Sequence, residues 1–221
     1  MLKPYLPHDL LWLASPSALA TDSELPAWLP QHWHPGLPVV VRRASARPGW
    51  IAVGVRGPQR WQRCALWARS KQLSRVLRPE QVAAQQGWRQ HPRLAALPAL
   101  QALQRSHAAL LACGLVWGIT GSAGFELASG QPALGSDSDL DLLLRCPQPP
   151  DRPRLQTLVA ALAQLPCRVD IQLQTPAGGV VLAEWLRGGR VLLKTATGPL
   201  LLDEPLAPWP GNRTQQLEQC P

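Results

Sequence analysis

The sequence predicts an α+β fold: a mixed sheet with flanking helices in the C-terminal half, preceded by a smaller, basic, β-rich N-terminal region. Three observations predict it. From residue 96 onward, helix-like and strand-like runs alternate. Near the N-terminus two β-rich runs stand as a pair about a turn. Basic residues concentrate between Arg42 and Arg93, with twelve Lys and Arg against the single acid Glu80, a net of +11, whereas the whole chain is +8.

The elements follow in order. The first 40 residues hold seven prolines and read as loops with short helical pieces. LPVVVRRAS (37–45) and WIAVGVRG (50–57) read as a β-hairpin joined through Arg47-Pro48-Gly49, with Arg42, Arg43 and Arg56 within or at the end of its strands. A helix is expected over 80–88, after Pro79, and a boundary around Gln90-His91-Pro92. This divides the 221 residues into a basic region, 1–90, and a catalytic domain, 91–221. Beyond the boundary, 96–114 has helical apolar spacing and stops at Gly114. Residues 115–122 form a strand entering a Gly-Ser turn, and 138–145 a second strand. A helix over 154–165, a strand over 167–175, a helix over 181–189 and a strand pair over 190–202 complete the unit. Gly178-Gly179 and Gly198-Pro199 read as turns, and the last ten or so residues as a frayed tail.

At 46% hydrophobic residues the chain can bury a core. The five cysteines, Cys64, Cys113, Cys146, Cys167 and Cys220, form no CxxC pair, which argues against a zinc knuckle or a disulfide framework. Pro, His and Asp interrupt the N-terminal MLKPYLPHDLLWL, and no apolar run could span a bilayer, so a reduced, cytoplasmic protein is expected. The +11 segment calls for an anionic partner or forms a solvated basic face.

The chemistry centres on carboxylates. In SDLDLLLR, Asp139 and Asp141 are two apart on a strand and share a face, while Leu140, Leu142 and Leu144 point to the core. Two carboxylates so placed repel each other and suit a hard divalent cation. Asp170, in RVDIQLQ, completes a three-acid cluster if the strands are neighbours. Three acids holding two Mg²⁺ ions suit in-line phosphoryl transfer. Upstream, Gly121-Ser122 follows a strand and can receive phosphate oxygens. Asp137 precedes the strand and reads as a turn residue. Neither GxSxG nor GxxxxGK[ST] is present, which argues against a serine hydrolase or a P-loop kinase.

The order Gly-Ser, Asp-x-Asp, later Asp resembles the polymerase-β-type nucleotidyltransferase superfamily. The stretch GITGSAGFELASGQPALGSDSDLDLLL (118–144), with 168–179 and 192–202, resembles more specifically the phosphoribosyl-dephospho-CoA transferases, also called malonate decarboxylase holo-acyl-carrier-protein synthases. The resemblance implies a nucleotidyltransferase-type catalytic half and Mg²⁺ held by Asp139, Asp141 and Asp170. It implies 2'-(5-triphosphoribosyl)-3'-dephospho-CoA as substrate and the apo acyl carrier protein of malonate decarboxylase as acceptor, with pyrophosphate released. Gly121 and Ser122 would bind the substrate, and Lys194, Arg42 and Arg43 could hold phosphates or the carrier, or be surface cations with snorkelling stems. Neither a membrane nor nucleic acid is expected as a partner. The competing readings are a nucleotidyltransferase with another acceptor and an inactive nucleic-acid-binding module. Trp117 could line the pocket, though packing is the better expectation, and the His32/His34 pair lacks further ligands.

Overall fold

The fold is that of a computed structural model, which describes residues 5–59, 61–203 and Trp209. The expected tail lies outside them.

The N-terminal region is a six-stranded antiparallel sheet. Its strands are β1 (Leu10–Leu13), β2 (Leu19–Ala20), β3 (Val39–Val41), β4 (Trp50–Arg56), β5 (Arg63–Arg69) and β6 (Leu73–Leu77), in the order β2-β5-β4-β3-β1-β6. The hairpin expected from sequence is β3–β4, with Val40 opposite Gly54. The strands β1, β2, β5 and β6 are additions to that reading. In β5, Cys64, Leu66 and Ala68 turn to the core while Arg63, Ala65, Trp67 and Arg69 face the other way, so two charged ends and an outward Trp mask the alternation. The four residues of β1, LLWL, are all buried. Leu11 and Leu13 join one core with Val53, Leu66 and Trp33, while Leu10 and Trp12 join the core of the other half. A strand buried on both faces shows no alternation, which is why a Pro-rich segment hides it.

The second half carries α2 (Pro79–Gln85), α3 (Pro98–Ala112), β7 (Val116–Ile119), α4 (Gly121–Ser129), β8 (Leu140–Arg145), α5 (Arg152–Leu162), β9 (Val169–Gln174), β10 (Gly179–Val181), α6 (Leu182–Arg187), β11 (Val191–Thr195) and β12 (Gly198–Leu202). A four-residue helix, α1 (Leu29–His32), lies in the N-terminal region. The second sheet runs β12-β11-β10-β9-β8-β7 and is mixed, since only β8 and β9 pair in parallel. Gly179, expected in a turn, opens the extra strand β10. A Cβ there would meet the Arg43 guanidinium at 2.6 Å and the Gln172 amide at 2.8 Å, so a larger residue would have to displace these two side chains.

Each face of this sheet has one task. Leu140, Leu142, Leu144, Ile171 and Leu173 pack into the core with α3 and α5. The helix α3 presents Ala99, Leu100, Ala102, Leu103, Ser106 and Leu110 there, all buried at helical spacing. Trp117 belongs to this side, edge-on to His107 at 5.9 Å, so it packs and does not line a pocket. The opposite face carries Asp141, Arg145, Asp170, Gln172 and Gln174 and is turned to the N-terminal sheet. The first turn of α2 covers it at Gly118, where a Cβ would lie 2.5 Å from Pro79 carbons. Residues 79–85 therefore pack with the second half.

Gly118 sets how close α2 comes to the sheet. Gly118→Ala should destabilise the fold by about 1–3 kcal/mol, whereas Gly54→Ala, whose new methyl would meet nothing nearer than 3.9 Å, should cost less. Thermal unfolding of both checks this. Equal melting temperatures for Gly118→Ala and wild type would show that the approach is not constraining.

Candidate active site

The two sheets enclose a cleft of about 400 Å³, lined among others by His8, Arg42, Arg56, Gly121, Ser122 and Asp141. Of the three acids marked by sequence, Asp141 lines it, whereas Asp170 lines a separate cavity of about 240 Å³ beside α5. Asp141 and Asp170 are direct register partners on the parallel strands β8 and β9, so their side chains leave the same face. Asp139 lies just ahead of β8, near enough to Cys167 that its charge adds to burial in raising that thiol's pKa. Asp170 is paired with Arg168, at 2.8 and 2.9 Å.

The phosphate-binding expectation for Gly121-Ser122 gains a structural form. The pair is the first turn of α4, not a free turn, with Thr120 as N-cap. Gly121 has φ +60°, and any Cβ there would overlap the Asp141 carboxylate. Glycine is required twice over, by conformation and by this approach. The amide end of α4 thus lies against the acid strand, the polarity that favours anions.

Ser122 is held from the other sheet. Arg56, at the end of β4, donates from Nη1 to Ser122 Oγ at 2.6 Å and from Nη2 to the Ala133 carbonyl at 2.9 Å. Arg63, its register partner on β5, also lines the cleft. Neither Arg56 nor Arg63 was marked by sequence as a site residue. Their only signal is their place at a strand end, which means nothing until the sheets are packed.

Arg42, Arg43 and Lys194 differ in what is left to them. Arg43 is engaged, donating to Gln174 Oε1 at 2.5 Å and standing 3.5 Å from His8 Nε2. Burial, then the charge of Arg145, lowers its pKa. Arg42 lines the main cleft and, with Lys194, a neighbouring 360 Å³ cavity that also touches His8 and Pro199. Lys194 therefore stands apart from the Ser122 end of the cleft.

His8 is a second residue that the sequence did not mark. It has φ +76° and takes a bond from the Gln172 amide at 3.1 Å, which leaves Nε2 as acceptor. Burial, then Arg43, Arg145 and Lys194, lowers its pKa to about 4. Next to it, Asp9 is fully buried, accepts from the Leu6 amide at 3.0 Å and lies 3.8 Å from Arg145, which also bonds Glu80 at 3.2 Å. These groups fasten the sheets together.

The far rim is the loop 130–138, which explains the long spacing from Ser122 to Asp139. Buried Glu126 accepts from the Ala133 and Leu134 amides at 2.7 and 2.8 Å and is paired with Arg93 and with His91 Nε2. Burial pushes its pKa up, but these bonds outweigh burial and hold it below the usual carboxylate range.

The donor chemistry of Asp139, Asp141 and Asp170 suits a hard divalent cation, and two of the three face each other on adjacent strands. Among the described residues, however, no three His, Cys, Asp or Glu side chains are gathered within ligating reach of one point, His32 and His34 included.

Asp141, a strand-borne carboxylate, lies against the N-terminus of α4 and across the cleft from a basic sheet, an arrangement whose polarity suits a phosphorylated ligand. The comparisons make this particular. Residues 6–79 match the family model of the phosphoribosyl-dephospho-CoA transferase MdcG N-terminal domain, and 81–205 that of its C-terminal domain. The chain is 50% identical over 200 residues to the phosphoribosyl-dephospho-CoA transferase of Pseudomonas aeruginosa, covering 90% of this chain and 92% of that one. It is 49% identical to the protein of that name from Azotobacter vinelandii, covering 90% and 93%, and 44% identical to one from Klebsiella pneumoniae, covering 90% and 95%. No solved structure matches. The chain belongs to the phosphoribosyl-dephospho-CoA transferase family.

His8 gives the site a pH signature. A histidine held neutral down to about pH 4 leaves the unfolded chain binding the extra proton first, so its contribution is intact above about pH 6.5 and is lost as pH falls toward 4. His8→Gln should flatten that part of the stability profile. Denaturant titrations at pH 7 and pH 5 check it, and identical slopes for variant and wild type would rule His8 out as the source.

Proposed function

We propose that this protein transfers the phosphoribosyl-dephospho-CoA group of 2'-(5-triphosphoribosyl)-3'-dephospho-CoA to a serine of the apo acyl carrier protein of malonate decarboxylase, on a nucleotidyltransferase-type sheet. The observation that carries the reading is the abutment of Gly121, first residue of α4, on the Asp141 carboxylate. A helix end able to receive phosphate directly beside an acidic strand supports a phosphoryl-transfer site. The family names support the transferred group, and four described cysteines that are free thiols support a reducing, cytoplasmic setting.

In the reaction the serine Oγ forms a bond to the α-phosphorus while the bond from that phosphorus to the bridging oxygen breaks. Pyrophosphate leaves and the serine proton is given up. The amides at the start of α4, Ser122 Oγ and the Arg56 guanidinium receive the β- and γ-phosphates, orienting the leaving group away from the attacking hydroxyl. Asp139, Asp141 and Asp170 are the acids that would hold Mg²⁺, expected as two ions, if they draw together around it; bound there, it would supply charge neutralisation at the pyrophosphate and activation of the hydroxyl. Asp141, backed by Gly121, is fixed in position and sets the geometry, while Arg168 competes for Asp170. Arg42 and Lys194 lie along the cleft toward the remainder of the substrate.

Intact-mass measurement of the apo carrier after incubation with enzyme, Mg²⁺ and the triphosphate substrate should show the added phosphoribosyl-dephospho-CoA. Asp141→Asn should cut this by at least about a hundredfold with the melting temperature preserved. A full-rate Asp141→Asn enzyme would remove that residue from the chemistry, and an unmodified carrier with folded wild-type enzyme would point to another acceptor.

Arg56→Ala should raise the KM for the triphosphate substrate by roughly ten- to a hundredfold, the worth of one charge-assisted contact, and weaken inhibition by pyrophosphate in parallel. If pyrophosphate inhibits the variant as it does wild type, Arg56 acts on the fold and not on the phosphates.

A further inference from the structure

We propose that the Arg–Trp face at the outer end of the N-terminal sheet docks the acceptor protein, and that the acceptor meets it with an acidic surface. The inference rests on the transfer reaction above, which requires a macromolecular acceptor.

The face is built by register. On β4 and β5, Trp50 stands opposite Arg69 and Ala52 opposite Trp67, so the two indoles and Arg69 share one side of the sheet. Arg69 lies 4.6 Å over the Trp50 ring centre, and Arg47, from the β3–β4 turn, 5.2 Å from Trp50 and 5.4 Å from Trp67. Arg42 also lies 5.4 Å from the Trp67 ring centre. Three guanidinium groups thus cluster on two neighbouring indoles. Nearby Asp22 reaches Arg47 at 3.5 Å, a pair exposed on both sides and therefore well screened.

Such a cluster exceeds what a sheet needs for stability. Indole planes hold the guanidinium groups in place, and Arg42 is further fixed by donating from Nε to the Val53 carbonyl at 3.3 Å, which lowers the entropy lost when a carboxylate is bound. Arg and Trp are also the residues that carry most binding energy at protein interfaces. A surface with three fixed positive charges selects a negative partner and speeds its arrival.

Its position fits a docking role. Arg42 belongs both to the cluster and to the lining of the cleft, so the face begins at the cleft rim and leads outward. A protein cannot enter a 400 Å³ cleft. Only its reactive loop can, and its body must rest on a rim. On the other side that rim is the loop 130–138, fastened by Glu126. The Arg–Trp face is the rim that offers charge and aromatic area.

Steady-state transfer at saturating triphosphate substrate and varied apo carrier tests this. The double variant Arg47→Glu/Arg69→Glu should raise the carrier KM roughly tenfold at low ionic strength, with the difference shrinking at high salt. The KM for the triphosphate substrate and kcat should hold. Asp22→Asn, which releases Arg47, should lower the carrier KM, a gain that damage to the fold could not produce. An unchanged carrier KM in the double variant overturns the dock, as does a rise confined to the triphosphate KM, which would assign the face to the nucleotide. Wild-type enzyme that never modifies the carrier overturns the acceptor reading itself, and the dock with it, before any variant is made.

Discussion

The double burial of β1 is the constraint on which the rest of the structure depends. Leu11 and Leu13 complete the N-terminal core, while Leu10 and Trp12 complete the core of the second half. One four-residue strand is shared by two hydrophobic cores, each side chain contributing about 1.5–3 kcal/mol of burial. The sheets therefore cannot slide relative to each other without exposing one core. The cleft inherits its shape from that lock: Arg56 extends from β4 to meet Ser122 on α4 only because β1, two strands away in the sheet, is anchored against the other half.

The lock brings many cations into a confined space, and the protein divides them by use. Arg145 is spent between Asp9 and Glu80, and Arg43 on Gln174 and His8, so these two hold the halves together. Burial first, and then their proximity, keeps His8 neutral. A neutral imidazole can accept from Gln172 without adding another positive charge to a crowded junction. Arg56 and Arg42 face the cleft, where an incoming polyphosphate would relieve the mutual repulsion. A cleft of this kind favours a highly charged substrate over a neutral one before any specific contact is counted.

The sequence made legible what depends on local pattern. Alternation in SDLDLLLR and RVDIQLQ places Asp141 and Asp170 on one face, and the parallel register pairs them residue for residue. The hairpin β3–β4, the helices α3 and α5 and the strand pair β11–β12 are local as well. Elements whose signal is tertiary stayed hidden. Nothing in LLWL reveals two opposed cores, and Gly179 looked like a turn because its strand role depends on Arg43 approaching from the other half. Among the site residues, Arg43 and Arg56 could not be ranked from sequence. Both lie at strand ends in the hairpin, yet one serves the interface and the other reaches Ser122.

The segment between Ser122 and Asp139 shows how the two kinds of constraint meet. From sequence it is merely a long connection between a phosphate turn and an acidic strand. In the fold, Glu126 on α4 turns back to receive two amides of that connection, and Arg93, from the segment before α3, joins both Glu126 and the Leu134 carbonyl. Arg56 adds a bond to the neighbouring Ala133 carbonyl. The connection is thereby tied to the helix that begins at Gly121, to the entry of α3 and to the N-terminal sheet. It is the same arginine that holds Ser122, so the phosphate turn and the cleft rim are set by one guanidinium. A shift of the N-terminal sheet would move both together, which ties the shape of the cleft to that sheet.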